Sequence, residues 1–246
     1  MTNPTICCIG DSLTEGTYSV DWVTNLSKKL PSINFINKGN NGETAAAVRS
    51  RIQTDVIDLK PEFVVLLIGG NDIIGATHTE AGKMYVKMFP EVQKEPPTYK
   101  QYETEMETII KKLDKDLPKD SQILVLSPPP IGEGGMDSPE WNLGAKFSLL
   151  CEEIVLGCSD RVLFTDLYTD VMRSMLFHIN GAYTPLKLSL FNMTLCRILS
   201  IFFSWETIRW LNRYKYTTDG IHFCSEFGSI CEHIIIDWLL SDMNTR

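Results

Sequence analysis

Short apolar stretches alternate along the chain with longer stretches whose apolar residues recur every three or four positions. The first kind predicts buried strands and the second predicts helices that pack along one face. Strands are predicted at residues 5–9, 33–37, 63–68, 123–126 and 162–165, and helices at 20–30, 43–58, 99–117, 143–156 and 225–240. The third strand is apolar throughout, which is typical of a central strand covered on both faces. The alternation predicts an α/β domain with a parallel sheet.

Two stretches exceed what a minimal domain of this class needs, and we expect one domain over residues 1–246 with insertions at about 75–97 and 170–216. We expect the first insertion to be rich in loops. The second contains an apolar stretch at 186–211, which charged residues interrupt too often for a bilayer-spanning helix. Three interpretations remain open: a buried core helix, which we favour, a cap over a pocket, or a surface that contacts a membrane or a partner.

The composition and charge exclude several classes of protein. Hydrophobic residues make up 43% of the 246 residues and charged residues 22%, which is ordinary for a globular domain. The net charge is −8, and no cluster of lysine and arginine has a useful length, so nucleic acid is not an expected partner. No internal repeat suggests a second domain, and the oligomeric state is left open.

The seven cysteines are scattered and contain no Cys-x-x-Cys pair. Cys7 and Cys8 fall inside the first predicted strand, where small buried side chains are wanted. We therefore expect reduced core thiols rather than a disulfide framework. With no signal peptide or membrane helix visible in this sequence, we expect a cytoplasmic protein.

Polar motifs follow the first two predicted strands. Gly-Asp-Ser-Leu at 10–13 places Ser12 where ligand sites of such sheets lie, beyond the carboxyl end of a strand. Gly-Asn-Asn-Gly-Glu-Thr at 39–44 opens a helix, where glycine brings bare backbone N–H groups close to a ligand. Taken alone, each motif is equally consistent with an ordinary turn that leads into a helix.

Two further motifs supply an amide and a candidate base. Gly-Gly-Asn-Asp at 69–72 follows the third strand and carries Asn71, whose carboxamide can donate to a developing oxyanion. In Asp-Gly-Ile-His at 219–222, a carboxylate three residues before an imidazole can orient the ring as a base. The other three histidines lack such a nearby carboxylate pattern in the sequence. No histidine–carboxylate set has zinc-like spacing, so we expect neither a metal nor a cofactor.

The four motifs together, in the order Gly-Asp-Ser-Leu, Asn37-x4-Gly42, Gly69-x-Asn71-Asp72 and Asp219-x-x-His222, resemble the four conserved blocks of the SGNH/GDSL hydrolase superfamily. The resemblance spans residues 10–222. It implies a flavodoxin-like three-layer α/β/α sandwich with five parallel strands, and an esterase or lipase activity without a cofactor.

The resemblance also implies roles for individual residues. Ser12 becomes the nucleophile, His222 the general base and Asp219 the residue that orients it. The oxyanion donors become the Ser12 N–H, the Gly42 N–H and the Asn71 side chain, with Gly39 a competing choice for the glycine. Ser-Pro-Pro-Pro at 127–130 resembles, more weakly, a pocket-lining loop of some members.

The expected substrate is a small-molecule ester with a small-to-medium acyl group, or a lipid ester. The apolar 186–211 stretch suggests a lipid or medium-chain acyl group. A carbohydrate O-acetyl ester or an acyl thioester remains an alternative, because the fold does not distinguish among these substrates.

The Gly-x-Ser-x-Gly elbow of the α/β-hydrolases is absent from the sequence. A phosphate- or nucleotide-binding domain is a rival of another class, but Walker and dinucleotide motifs are also absent. A non-catalytic interaction domain is a third possibility.

Overall fold

The computed structural model describes residues 3–243, so residues 1, 2 and 244–246 of the expected domain lie outside the described residues. Five strands form one parallel sheet in the order β2-β1-β3-β4-β5. The strands are β1 (Thr5–Gly10), β2 (Asn34–Gly39), β3 (Phe63–Leu67), β4 (Gln122–Leu126) and β5 (Val162–Thr165). All five lie within two residues of their predicted bounds, and the predicted fold class is confirmed.

Helices cover both faces of the sheet and make it the middle of three layers. One face packs against α3 (Ala45–Asp55), α6 (Tyr99–Asp116) and α7 (Pro139–Leu156), and the other against α2 (Trp22–Lys29), α8 (Leu167–Ile179) and α11 (Ser225–Met243). Successive strand residues point to opposite faces, so Cys7 joins the first core and Cys8 the second. Both thiols are buried, and all seven cysteines are free, as expected.

The register of β1 with its neighbours brings the motif loops to one edge of the sheet. Gly10, the last residue of β1, pairs with Gly39 on β2 and with Leu67 on β3. The chain therefore leaves three adjacent parallel strands at the same level. The loops that begin at residues 11, 40 and 68 emerge side by side.

The expectation of a loop-rich segment at 75–97 is wrong. Much of that segment is helical, in the end of α4 (Gly70–Thr77) and in α5 (Thr79–Met88). Gly75 and Gly82 permit close packing of these two helices: a Cβ on Gly82 would lie 2.7 Å from the carbonyl oxygen of Gly75.

The favoured interpretation of 186–211 as buried core is also wrong. The stretch forms α9 (Leu190–Leu199) and α10 (Trp205–Leu211), in which Cys196 and Ile208 are the buried residues. Both helices are short and carry apolar residues around their circumference, so packing along one side leaves the rest exposed. Among the described residues, no helix combines the length and apolarity needed to cross a bilayer.

Candidate active site

Ser12 lies beyond the carboxyl end of β1, as the first residue of a single helical turn, α1 (Ser12–Glu15). The Asp11 carboxylate caps this turn by accepting a backbone N–H at 2.9 Å. Gly10 is required by close packing, because a Cβ there would lie 2.1 Å from the carbonyl oxygen of Leu67. The Gly-Asp-Ser sequence thus turns the chain sharply at the sheet edge and presents the serine hydroxyl there.

Ser12, His222 and Asp219 form one continuous hydrogen-bonded array. The Ser12 Oγ lies 3.0 Å from His222 Nε2, and His222 Nδ1 lies 2.7 Å from Asp219 Oδ2. All three residues are buried. The other carboxylate oxygen of Asp219 accepts the backbone N–H groups of Ile221 and His222 at 3.0 and 2.9 Å. Tyr18 stacks on the imidazole with ring centroids 5.4 Å apart.

The electrostatics of this array favour an ionised aspartate. Burial alone would raise the pKa of Asp219, but the charge and hydrogen bonds of His222, together with the Ile221 N–H, hold it below its ordinary value. An ionised carboxylate beside Nδ1 keeps the proton on that nitrogen and leaves Nε2 as the acceptor that faces the serine. The geometry therefore suits proton transfer from Ser12 to His222.

The carboxamide of Asn71, in the first turn of α4, is held by two partners. Its Nδ2 donates to the Glu43 carbonyl at 2.9 Å, and its Oδ1 accepts the Tyr85 hydroxyl at 2.7 Å. These contacts fix which way the amide faces. An amide nitrogen carries two protons, so one N–H of Asn71 is left for a ligand in the adjoining cavity.

The structure separates the two candidate glycines. The Gly39 N–H donates to Asn37 Oδ1 at 2.9 Å and is thus already used inside the loop. Gly42 lines the cavity beside Ser12 and Asn71, and its φ of 77° is a backbone conformation that suits glycine. The geometry favours Gly42 as the backbone donor.

Arg51 is a structural residue of the site that the sequence analysis missed. Its guanidinium donates to Glu43 Oε2 at 2.7 Å and to the carbonyl oxygens of Lys38 and Gly10 at 2.8 and 3.2 Å. Glu43 is buried. The ion pair ties the ends of β1 and β2 to the residue whose carbonyl orients Asn71. A buried Glu signals that a partner exists but does not say which one.

Asp72 and Asp11 are buried carboxyl groups beneath the site. Asp72 accepts the Ala45 N–H at 3.0 Å and so caps α3, where Thr44 makes no side-chain cap. Burial raises the pKa of Asp72 to about 7, the Asp11 charge adds to the shift and the Ala45 N–H opposes it. The pKa of Asp11 is likewise raised to about 7, chiefly by burial.

A cavity of about 640 Å³ opens beside the serine and histidine. Residues from both insertions line it, in α5 and at 188–193. Its lining is largely apolar and includes Ile74, Met84, Met88, Leu190 and Met193. The sequence analysis did not assign these residues to a site, although the cap interpretation of 186–211 is consistent with this position. Residues 127–130, expected to line the pocket, do not line this cavity, and Ser127 instead hydrogen-bonds Asp166 and Tyr168.

Glu133 organises the loop that leads to Asp219, and the sequence analysis missed it too. Its buried carboxylate accepts the backbone N–H groups of residues 215, 216 and 217 and the Thr217 hydroxyl, at 2.8 to 3.1 Å. The Glu133 carbonyl oxygen accepts the backbone N–H of Thr184, which lies in the second insertion. One carboxylate thus holds the approach to the acid–base pair over 82 to 84 residues of sequence.

Comparisons with known proteins agree with the expected family. Residues 8–181 match the GDSL-like lipase/acylhydrolase family, a range that includes Ser12, Gly42 and Asn71. An uncharacterized lipoprotein of Bacillus subtilis, YqeF, is 32% identical over 76 residues, which are 27% of this chain and 31% of that protein. The chain therefore matches less than a third of the length of this curated relative.

Solved structures share the fold at low sequence identity. A catalytic mutant of Axe2, an acetylxylan esterase from Geobacillus stearothermophilus, aligns over 96% of this chain and 94% of its own, with a TM-score of 0.59 and 16% identity. LAE5, an alpha/beta hydrolase enzyme from the metagenome of Lake Arreo, aligns over 81% of this chain and 95% of its own, with a TM-score of 0.54 and 20% identity. These similarities support the three-layer fold.

Replacing Glu133 with Gln is expected to loosen the loop before Asp219. The amide loses the charge that strengthens several N–H contacts and turns one acceptor position into a donor that faces the Lys215 N–H. We expect a loss of about 1–3 kcal/mol in the free energy of unfolding, measured in urea. Glu107→Gln, which removes a solvent-exposed ion pair with Lys111, is the matched control. Equal stability of the two variants would contradict the assigned role.

The raised pKa of Asp72 predicts a specific dependence of stability on pH. A carboxyl group with a higher pKa in the folded state favours folding fully below its ordinary pKa of 3.8, and this contribution is lost as the pH rises to about 7. Asp72→Asn keeps an oxygen for the Ala45 N–H but removes the titration. The variant should therefore gain stability relative to wild type between these pH values, as measured by urea unfolding. The control Asp58→Asn, at a solvent-facing position, should not show this gain. Parallel pH profiles of stability for wild type and Asp72→Asn would refute the prediction.

Proposed function

The chain belongs to the GDSL-like lipase/acylhydrolase family, and from this premise we propose that it is a carboxylic ester hydrolase with Ser12 as nucleophile. The single observation that carries the proposal is the Ser12–His222–Asp219 array, with contacts of 3.0 and 2.7 Å. A serine hydroxyl is a weak nucleophile until an adjacent base accepts its proton. His222 is within hydrogen-bond distance to do so.

The proposed reaction has two steps. Ser12 Oγ attacks the ester carbonyl while its proton passes to His222 Nε2, and the histidine then returns the proton to the departing alcohol. Water attacks the acyl-enzyme in the second step, with His222 again taking and returning a proton, and releases the carboxylic acid. Asp219 stabilises the imidazolium formed in each step, and the stacked Tyr18 ring limits rotation of the imidazole.

Three donors are proposed for the developing oxyanion. The Ser12 N–H belongs to the first residue of α1 and has no partner within that turn. The Gly42 N–H and the free N–H of Asn71 line the same cavity. Because Tyr85 and Glu43 hold the amide before substrate arrives, Asn71 needs little reorganisation during the reaction.

The cavity favours an acyl group of several carbons over an acetyl group. Its methionines, leucines and isoleucines offer apolar contacts, and Met is a flexible side chain that adapts to ligands of different shape. The described residues that line it include no lysine or arginine, which disfavours the rival phosphate or nucleotide ligand. Carbohydrate acetyl esters are the second candidate, because one structural relative is an acetylxylan esterase.

Hydrolysis of p-nitrophenyl esters from acetyl to palmitoyl tests the nucleophile and the acyl preference together. We expect an optimum above acetyl and loss of nearly all turnover in Ser12→Ala, because no other hydroxyl contacts His222 Nε2 in the described residues. Ser50→Ala, on the surface of α3, is the matched control and should retain activity. Activity that persists in Ser12→Ala would disprove the mechanism, and a sharp acetyl optimum would favour the carbohydrate ester.

Replacing Asn71 with Ala should lower kcat about a hundredfold or more and change KM much less, because an oxyanion donor acts mainly in the transition state. Steady-state kinetics on the preferred ester measure the split between kcat and KM. Tyr85→Phe removes the hydroxyl that holds the amide but leaves the donor, so its loss should be smaller. Exposed Asn142→Ala is the control. Equal losses in kcat and in substrate affinity would argue for ground-state binding instead.

A further inference from the structure

The part of the chain at 186–215 has an unusual surface, which we name the α9–α10 surface. Phe191, Phe202 and Trp210 are exposed by 80%, 74% and 75%, and Ile198, Ile201 and Leu211 are exposed as well. Single exposed apolar residues are ordinary, but with Leu195 and Phe203 there are eight within the 21 positions from 191 to 211, which is not ordinary. An exposed apolar surface of this kind is expected to bind another molecule in aqueous solution.

The α9–α10 surface is continuous with the cavity beside Ser12. Leu188, Leu190 and Met193 line the cavity, whereas Phe191 on the same helix is 80% exposed and does not line it. The same helix therefore presents apolar groups inward to the proposed acyl site and outward to the solvent. An apolar molecule held at the outer surface would be next to the cavity entrance.

The charge of this segment opposes the charge of the rest of the chain. Residues 186–215 contain five lysines and arginines and one glutamate, although the whole chain has a net charge of −8. Lys187, Arg197, Arg213 and Lys215 are exposed. Exposed aromatic residues among exposed cations match an anionic lipid surface, whose apolar interior accepts the rings and whose headgroups attract the cations.

A second copy of this chain fits the same surface less well. A two-fold contact through the α9–α10 surface would bring two positively charged segments together. Like charges so placed repel each other and weaken the contact. The combination of apolar and cationic groups therefore selects a lipid surface over a like-charged copy.

Hydrogen bonds attach the α9–α10 surface to the loop of Asp219. Asn212 Nδ2 donates to the Thr218 carbonyl at 2.7 Å, and the Thr218 N–H donates to the His222 carbonyl at 2.7 Å. The surface is thus held in a defined position relative to the proposed active site. A lipid bound there keeps its distance and orientation to Ser12.

We propose that the α9–α10 surface binds anionic lipid surfaces peripherally and positions the cavity entrance at the lipid–water boundary. The rings of Phe202 and Trp210 insert among the lipids, while Lys187 and Arg197 contact the headgroups. An ester substrate with an acyl chain then passes from the lipid phase into the cavity without crossing bulk water. Binding itself does not depend on the proposed chemistry, whereas the delivery of substrate rests on the proposed function.

Flotation of the full chain with vesicles tests the proposal. One set of vesicles contains phosphatidylcholine alone, and the other contains phosphatidylcholine with phosphatidylglycerol. We expect binding to the anionic set that weakens as salt is added. Lys187→Gln with Arg197→Gln should weaken it about fivefold per cation removed. Phe202→Ser with Trp210→Ser should weaken it about tenfold or more.

Matched controls use side chains elsewhere on the surface. Leu156→Ser removes an apolar side chain that is 81% exposed at the end of α7, and Lys28→Gln removes an exposed cation on α2. Neither should change binding. Ser12→Ala should bind vesicles like wild type without turnover, and the α9–α10 variants should hydrolyse a short soluble ester like wild type.

The outcomes separate the two proposals. No binding to anionic vesicles, equal binding to both sets, or equal effects of test and control variants would overturn the lipid proposal. Self-association lost in Phe202→Ser with Trp210→Ser, without vesicle binding, would assign the surface to a second copy. Binding with no Ser12-dependent ester turnover would leave the lipid surface standing and overturn the proposed function.

Discussion

The imidazole of His222 is the point on which the arrangement of the site depends, because it joins parts of the chain that are far apart. Its two nitrogens contact Ser12, which is 210 residues away in sequence, and Asp219, which is three away. The contact with Asp219 is local to one turn, but the contact with Ser12 forms only when the last loop lies over the end of β1. The backbone N–H groups that Asp219 accepts, and the stacked Tyr18, leave the ring little freedom. The site is therefore a property of the complete sheet and not of a local motif.

Buried carboxylates provide much of the support around that ring. Glu43 is paired with Arg51, Glu133 accepts several backbone N–H groups, and Asp72 caps a helix. An unpaired buried charge is strongly unfavourable, so each of these groups favours one loop conformation over others that would leave it without partners. The raised pKa values of Asp11 and Asp72 mark where this compensation is incomplete. Stability and positioning of the site are thus connected through the same residues.

The two insertions contribute much of the lining of the apolar cavity at the sheet edge. Helix α5 and residues 188–193 surround the cavity, while the rest of α9 and α10 remain uncovered by the described chain. Part of the apolar lining, Leu188, Leu190 and Met193, belongs to the same segment as the apolar side chains exposed to solvent. The proposed acyl site and the proposed lipid surface therefore share one stretch of sequence.

Local patterns in the sequence determined the strands, five of the eleven α-helices in the described residues, the family and the candidate site residues, because periodicity and short motifs act over a few residues. The tertiary structure decided that Gly75 and Gly82 mark close helix packing and that 186–211 lies on the surface, since both depend on what packs against them. It also favours Gly42 over Gly39 as the proposed backbone donor, because the Gly39 N–H donates to Asn37. The partners of Arg51 and Glu133 could likewise be identified only from the tertiary structure. Burial, and pairing between residues far apart in the sequence, depend on how the elements assemble around the sheet. A local sequence pattern therefore does not predict them.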